Sequence, residues 1–299
     1  MYAFRILNVF TVDDDPFSGN PLCVFEDARG LTDAQMQSLA RQMNLSETTF
    51  VLPASRDADA RVRIFTPGFE MPFAGHPTLG TASVVAQAQN KDRVTLEMIA
   101  GLVPVERGVE SSTASSTPSS MASSSAWTLR AAKAPATRPV DASRDELAAM
   151  LGLPSGSVSD EPLWVNTGVE QLVIPLATVE LVRATKPVIP LIEKHGFSAT
   201  RQEAMAYVWA RDPRNATSID VRFFFTSNGA LLEDPATGSA CANLGGWMIA
   251  RGATRPISAT LSQGLAIERP SRLGLRVDER DQIFVTGSVI EIGRGSMSL

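Results

Sequence analysis

The chain has 299 residues, 44% hydrophobic and 20% charged, with a net charge of −5 and an isoelectric point near 5.2. That length suits two domains of about 150 residues each, and the charge leaves no basic footprint for a nucleic-acid partner. No apolar run reaches the ~18 residues of a membrane helix, the opening MYAFRILNVFTVDDD is too acidic for a signal peptide, and two cysteines are too few for a disulfide scaffold; a cytoplasmic protein is expected.

Phe4 to Val12 and Leu22 to Phe25 are apolar and β-rich, separated by a turn cluster ending in Gly19-Asn20-Pro21. Thr32-Asp33-Ala34-Gln35 is a capping box, with Leu31 and Met36 placed as a hydrophobic staple. Met36, Leu39, Ala40 and Met43 recur at helical spacing, so this helix is predicted to end near Asn44, before a strand from Thr48 to Leu52. Residues 111–125, SSTASSTPSSMASSS, read as a solvated loop or linker. A strand from Trp127 to Ala131 opens the second half, followed by a helix capped at Ser143-Arg144-Asp145-Glu146. Strands at Trp164–Asn166 and Leu172–Leu176 come next, then short helices at Glu180–Ala184 and Ile189–His195 within a stretch of weak signal. Three closing strands are predicted near 257–268, 273–278 and 282–290. Strands with single helices inserted among them indicate an α+β fold. The halves divide as 1–118 and 119–299, with a strand near 288–299 returning to the first.

Two stretches repeat one idea. FTPGFEMPFAGHPTLGTA (Phe65 to Ala82) and FTSNGALLEDPATGSACA (Phe225 to Ala242) each run from an apolar strand through a Gly/Pro turn into small residues suited to a tightly packed helix. Without a gap, Phe65-Thr66 falls on Phe225-Thr226, and Gly75-His76-Pro77-Thr78 on Pro235-Ala236-Thr237-Gly238. The repeat predicts two similar halves with two helix N-termini, whose unpaired N–H groups and dipole suit a small anion.

Glu47 stands where a helix gives way to a strand, a place suited to partial burial. It reads either as a solvated strand-edge residue or as a general base whose burial lifts its basicity. His76, between Gly75 and Pro77, reads as structural or functional, with Pro77 expected as the first helical residue. Asp234 either caps the following helix or holds a ligand, and Ser239 with the N–H groups around Gly238 is a candidate carboxylate cradle. Cys23 and Cys241 lie in a strand and a small-residue helix and read as buried hydrophobes rather than reactive thiols.

Several familiar sites are missing. The glycines of GHPTLGTA lack the lysine of a phosphate loop, its place being taken by Thr81. There is no G-x-S-x-G elbow and no G-x-G-x-x-G dinucleotide turn. The two histidines, His76 and His195, and the two cysteines show no metal-ligand spacing, so no protein-bound metal is expected.

Phe17-Ser18-Gly19-Asn20-Pro21, Met43-Asn44-Leu45-Ser46-Glu47, Arg63-Ile64-Phe65-Thr66-Pro67 and Phe73-Ala74-Gly75-His76-Pro77 carry a family resemblance, together with Glu233-Asp234-Pro235-Ala236-Thr237-Gly238-Ser239-Ala240, Gln263-Gly264 and Arg269-Pro270-Ser271. These stretches resemble the PhzF-like family, whose namesake is the phenazine-biosynthesis isomerase and whose fold is that of diaminopimelate epimerase. The resemblance covers residues 1 to about 82 and about 220 to the end. It implies two pseudo-symmetric halves, each a curved mixed sheet around a central helix, a homodimer, and no cofactor.

It further implies that Glu47 takes a proton from one carbon of a small carboxylate substrate and returns it to another. For the namesake that substrate is trans-2,3-dihydro-3-hydroxyanthranilate. His76 and Asp234 would complete the catalytic set by holding polar ring substituents, while Ser46, Gly75, Gly238 and Ser239 would orient the carboxylate. Cysteine-dependent epimerases of this fold carry a thiol at the turn before each central helix, where this chain has Gly75-His76 and Asp234-Pro235. A two-thiol epimerase or racemase using Cys23 and Cys241, and a non-catalytic small-acid binding protein, are the alternatives.

Overall fold

The structure, a computed structural model, describes residues 1–108, 126–227 and 229–299. The Ser-rich segment 111–125, expected to be a linker, lies outside the described residues. Contacts divide the chain into two compact units, Met1–Ala132 with Thr286–Leu299, and Lys133–Val285.

The first unit runs β1 (Tyr2–Val9), β2 (Asn20–Phe25), α1 (Asp33–Met43), β3 (Glu47–Leu52), β4 (Ala60–Phe65), β5 (Glu70–Met71), α2 (Gly75–Gln89), β6 (Arg93–Met98), β7 (Gly101–Arg107) and β8 (Ala126–Arg130). The expected capping box forms at Thr32 and Gln35, and Asn44 closes α1 in the left-handed conformation. α1 is the crossover between parallel strands β2 and β3. Its buried face, Met36, Leu39 and Ala40, packs on Cys23, Phe25, Phe50 and Phe65. There Phe25 and Phe50 stack at 5.0 Å, and Phe65 meets Phe50 edge-on at 5.4 Å.

The second unit runs β9 (Ala136–Pro139), α3 (Arg144–Met150), β10 (Leu163–Asn166), β11 (Glu170–Pro175), α4 (Val179–Ala184), α5 (Ile189–His195), β12 (Phe197–Ser198), β13 (Glu203–Asp212), β14 (Asn215–Ser227), β15 (Ala230–Asp234), α6 (Gly238–Ala250), β16 (Ile257–Gln263) and β17 (Ser271–Val277). β18 (Ile283–Met297) begins here and carries the chain back to the first unit, where it pairs antiparallel with β1. Two strand readings are corrected. β8, expected to open the second half, pairs with β7 and belongs to the first unit. β13 went unread because seven consecutive residues, Ala204 to Ala210, are buried, so its sequence lacks the alternation of a half-exposed strand.

The two units repeat one pairing scheme. β1–β2 and β10–β11 are antiparallel, β2–β3 and β11–β13 parallel, and β3–β4 and β13–β14 antiparallel. Next come antiparallel hairpins, β4–β5 and β14–β15, then parallel pairs across a central helix, β4–β6 and β14–β16. The antiparallel pairs β6–β7 and β16–β17 close each scheme. The small residues of the central helices let strands approach closely. A Cβ at Gly80 of α2 would stand 2.5 Å from Leu22, and one at Gly246 of α6 would stand 2.9 Å from Val165.

Each hairpin carries the same side-chain clamp. Arg63 donates Nε and Nη2 to the Glu70 carboxylate at 2.7 and 2.6 Å, with its guanidinium 5.0 Å from the Phe65 ring centre. Arg222 does the same to Glu233 at 2.9 and 2.6 Å, 4.7 Å from Phe224. Planar bidentate pairing on an aromatic face suits arginine and not lysine.

The clamp corrects the ungapped alignment. Phe65 pairs with Glu70 and Phe224 with Glu233, so Phe65 corresponds to Phe224 rather than Phe225. The second hairpin then adds the pairs Phe225–Leu232, Thr226–Leu231 and Ser227–Ala230. Downstream, Gly75 therefore corresponds to Gly238, each the first residue of its central helix, and His76 to Ser239.

Candidate functional site

Glu47 is the first residue of β3, held beside Leu22 by the parallel ladder. His76 is the second residue of α2: the helix starts at Gly75, two residues earlier than expected, and Pro77 is its third residue. A proline within the first turn forfeits no intrahelical bond, since those N–H groups have no partner in the helix. Nε2 of His76 lies 3.5 Å from Oε2 of Glu47, with the two side chains 5% and 15% exposed. The other imidazole nitrogen bonds the Pro21 carbonyl, so it carries the proton. Burial pushes the His76 pKa down to about 3, and the Pro21 contact opposes that only in part. His76 is thus a neutral imidazole near neutral pH whose Nε2 lone pair faces the Glu47 carboxyl group. Gly75 is buried beside it, whereas Ser46 is exposed in the bend between α1 and β3.

In the second unit Asp234 ends β15 and does not cap α6, correcting the capping reading. The N-cap residue is Thr237, with no side-chain cap bond. The Thr237 hydroxyl instead donates to Oδ2 of Asp234. Gln263 fixes that direction: its Oε1 accepts the Thr237 N–H at 3.2 Å, and its Nε2 donates to the Asp234 carbonyl at 2.9 Å and to Oγ1 of Thr237 at 3.0 Å. Two backbone groups of fixed polarity orient the amide, so the hydroxyl must pass its own proton to Asp234. Gly238 and Ser239 are the first two residues of α6, and Ser239 Oγ accepts from Nε2 of Gln171 at 3.0 Å.

The sequence had marked neither Thr237 nor Gln263 as functional, although both sit inside matched motifs. Gln171 and Asn243 were missed outright. The available signal was an amide inside the apolar runs of β11 and α6, since a buried amide must find partners. Cys23 and Cys241 are fully buried. Burial raises the Cys23 thiol to about 12 and raises that of Cys241 as well, so neither supplies a thiolate near neutral pH. Among the described residues no group of His, Cys, Asp and Glu is placed to hold a metal, and no helix is long and apolar enough to cross a membrane.

Two repeated units, each a mixed sheet around a buried helix, define the diaminopimelate-epimerase-like class. The model of phenazine biosynthesis-like proteins, PhzC-PhzF, matches residues 7–293, and the chain belongs to that family. It is 39% identical over 298 residues to an uncharacterized isomerase of Pasteurella multocida, covering 99% of this chain and 94% of that one. It is 34% identical over 282 residues to the trans-2,3-dihydro-3-hydroxyanthranilate isomerase of Pseudomonas aeruginosa, covering 93% and 91%. The crystal structure of a PhzF-family phenazine biosynthesis protein of Bacillus anthracis has the same fold. Its TM-score is 0.82 at 24% identity, covering 100% of this chain and 99% of that one. The chain is an isomerase of the PhzF type.

Proposed function

We propose that the chain is a cofactor-independent isomerase in which Glu47 moves a proton between two carbons of a small carboxylate-bearing substrate, a cyclic amino acid related to trans-2,3-dihydro-3-hydroxyanthranilate. The observation that carries this reading is the placement of Glu47 against a neutral imidazole at the mouth of α2. In the forward step the Glu47 carboxylate takes a proton from a substrate carbon, and the C–H electron pair moves into the adjacent π system. The Glu47 carboxyl, whose O–H exchanges with solvent while it is held there, then delivers a proton to another carbon of that system, so the reaction is redox-neutral and leaves Glu47 ionised. Between the two transfers the Glu47 O–H has an acceptor in the Nε2 lone pair of His76, which also suits a donor group of the substrate. In this reading Asp234 holds a polar ring substituent. Gly75, Gly238, Ser239 and Ser46 orient the carboxylate through first-turn N–H groups and hydroxyls.

The test is turnover of trans-2,3-dihydro-3-hydroxyanthranilate in deuterium oxide. Transfer through Glu47 incorporates deuterium at the protonated carbon, and Glu47→Gln abolishes it. Unchanged incorporation in that variant removes Glu47 from the mechanism, and binding without incorporation leaves a small-acid binding protein. The same reading carries a cytoplasmic homodimer, which light scattering at working concentration checks.

A further inference from the structure

A chain of buried hydrogen bonds runs from the turn before β11 to the first turn of α6. The Thr167 backbone N–H and hydroxyl donate to Oδ1 of Asn243 at 2.9 and 2.7 Å. Nδ2 of Asn243 donates to the Val169 carbonyl at 2.8 Å and to Oε1 of Gln171 at 2.7 Å. Nε2 of Gln171 then donates to Oγ of Ser239 at 3.0 Å. Thr167, Gln171 and Asn243 are all buried, with Asn243 and Ser239 one turn apart on the same face of α6.

The direction of this chain is not a matter of choice. An amide side chain can be turned end for end, but the groups meeting Asn243 cannot. A backbone N–H only donates and a carbonyl only accepts. With Thr167 N–H on one end and Val169 C=O on the other, Asn243 has one allowed orientation. Its second amide proton then forces Gln171 to present Oε1 inward and Nε2 towards Ser239. Ser239 consequently receives a hydrogen bond from the protein and finds no protein acceptor for its own proton among the described residues. The parallel relay through Gln263 differs at this point, since Thr237 spends its proton on Asp234.

We infer that Gln171 and Asn243 are positioning residues that fix Ser239 as an outward hydrogen-bond donor, so that this end of α6 favours a strong acceptor such as a carboxylate. The inference rests on the proposed reading that Ser239 meets the substrate carboxylate, and it adds what enforces the choice. An ammonium group placed here would find only the second lone pair of the hydroxyl, the first being taken by Gln171, and would leave the Ser239 proton without an acceptor. A carboxylate would complete the chain.

Neutron diffraction on deuterium-exchanged crystals reads the direction without any ligand. The expected map puts deuterons on Nε2 of Gln171 facing Ser239, and the Ser239 deuteron pointing away from Gln171. A Ser239 deuteron aimed at Gln171 overturns the inference. Kinetics with trans-2,3-dihydro-3-hydroxyanthranilate gives the second arm. Ser239→Ala is expected to raise KM about tenfold, the worth of one hydrogen bond to a charged group, with a smaller effect on kcat. At alkaline pH, Gln171→Glu puts an acceptor where a donor stood, turns the hydroxyl inward and raises KM by a similar factor. In the Ser239→Ala background Gln171→Glu should add little. A further tenfold rise there would mark simple charge repulsion and defeat the inference. Should Ser239→Ala leave KM unchanged, the carboxylate reading fails while the neutron map still judges the relay.

Discussion

Nε2 of His76 faces Oε2 of Glu47 across 3.5 Å, while the opposite nitrogen of the ring is committed to the Pro21 carbonyl. The ring therefore offers Glu47 a lone pair and not a positive charge. Glu47→Gln removes the proposed proton carrier yet keeps the shape and a polar contact. Turnover should fall at least ~100-fold, the lower end of what a general acid/base supplies, with KM changed by less than about tenfold. Steady-state rates on trans-2,3-dihydro-3-hydroxyanthranilate decide it, and a variant of undiminished turnover would refute the assignment.

Burial of His76 also has a signature in stability. Its folded pKa of about 3 lies below the ~6.5 of an unfolded chain. As pH falls through ~6.5 the unfolded chain binds a proton that the folded chain refuses until about pH 3. Stability is therefore complete above the unfolded value and is lost on acidification through this window, at up to about 1.4 kcal/mol per pH unit. Urea midpoints at pH 7 and pH 5 should separate less in His76→Gln than in the parent chain. Equal separations would show that His76 does not govern this slope.

The Arg222–Glu233 pair is the more deeply buried of the two clamps, at 13% and 8% side-chain exposure, against 13% and 24% for Arg63–Glu70. Arg222 also donates to the carbonyls of Val182, Arg183 and Thr185 at the end of α4. Arg222→Met strands a buried carboxylate and is expected to cost about 3–5 kcal/mol. Arg63→Met should cost less, because Glu70 keeps more water. Chemical denaturation of both variants gives the order directly, and the reverse order would contradict the burial argument.

Gly264 has φ of +77°, and a Cβ there would collide with the Arg269 carbonyl and stand 2.7 Å from that of Pro235. Gly264→Ala combines left-handed strain of about 1–3 kcal/mol with pressure on the backbone beside Asp234. Both the unfolding midpoint and turnover should drop, and a variant of parental stability would disprove the steric reading.

Replacing both thiols tests the alternative chemistry. Cys23 and Cys241 have no access to solvent, and burial keeps both protonated near neutral pH. The double Cys→Ala variant should retain parental turnover, with only a packing loss in its melting temperature. Loss of turnover in a folded double variant would reinstate the two-thiol mechanism.

Much of this was legible in the residues because its causes are local. The capping boxes at Thr32 and Ser143 name their own partners within a turn, and both form. The repeated strand, turn and helix announced the duplication of the fold. The register between copies was legible only in part: Phe65 has phenylalanines at 223, 224 and 225 to choose from, the ungapped repeat selects Phe225, the shared Val62-Arg63 and Val221-Arg222 favour Phe224, and cross-strand pairing with Glu233 decides for Phe224. β13 escaped because burial on both faces erases the alternation by which strands are read. At the site, residue types pointed to Glu47, His76 and Asp234 one by one. What each accepts or donates depended on Pro21, Gln263 and Thr237, which reach them through folding.

The extended tip of the second hairpin lies beyond its Arg222–Glu233 clamp, and the chain below the clamp keeps the spacing of the first copy, with Gly238 following Glu233 as Gly75 follows Glu70. Insertions at the tip are thereby absorbed before they reach the helix that presents Ser239. Such a chain can vary the outer arms of its hairpins from one descendant to the next while the first turn of each central helix stays put.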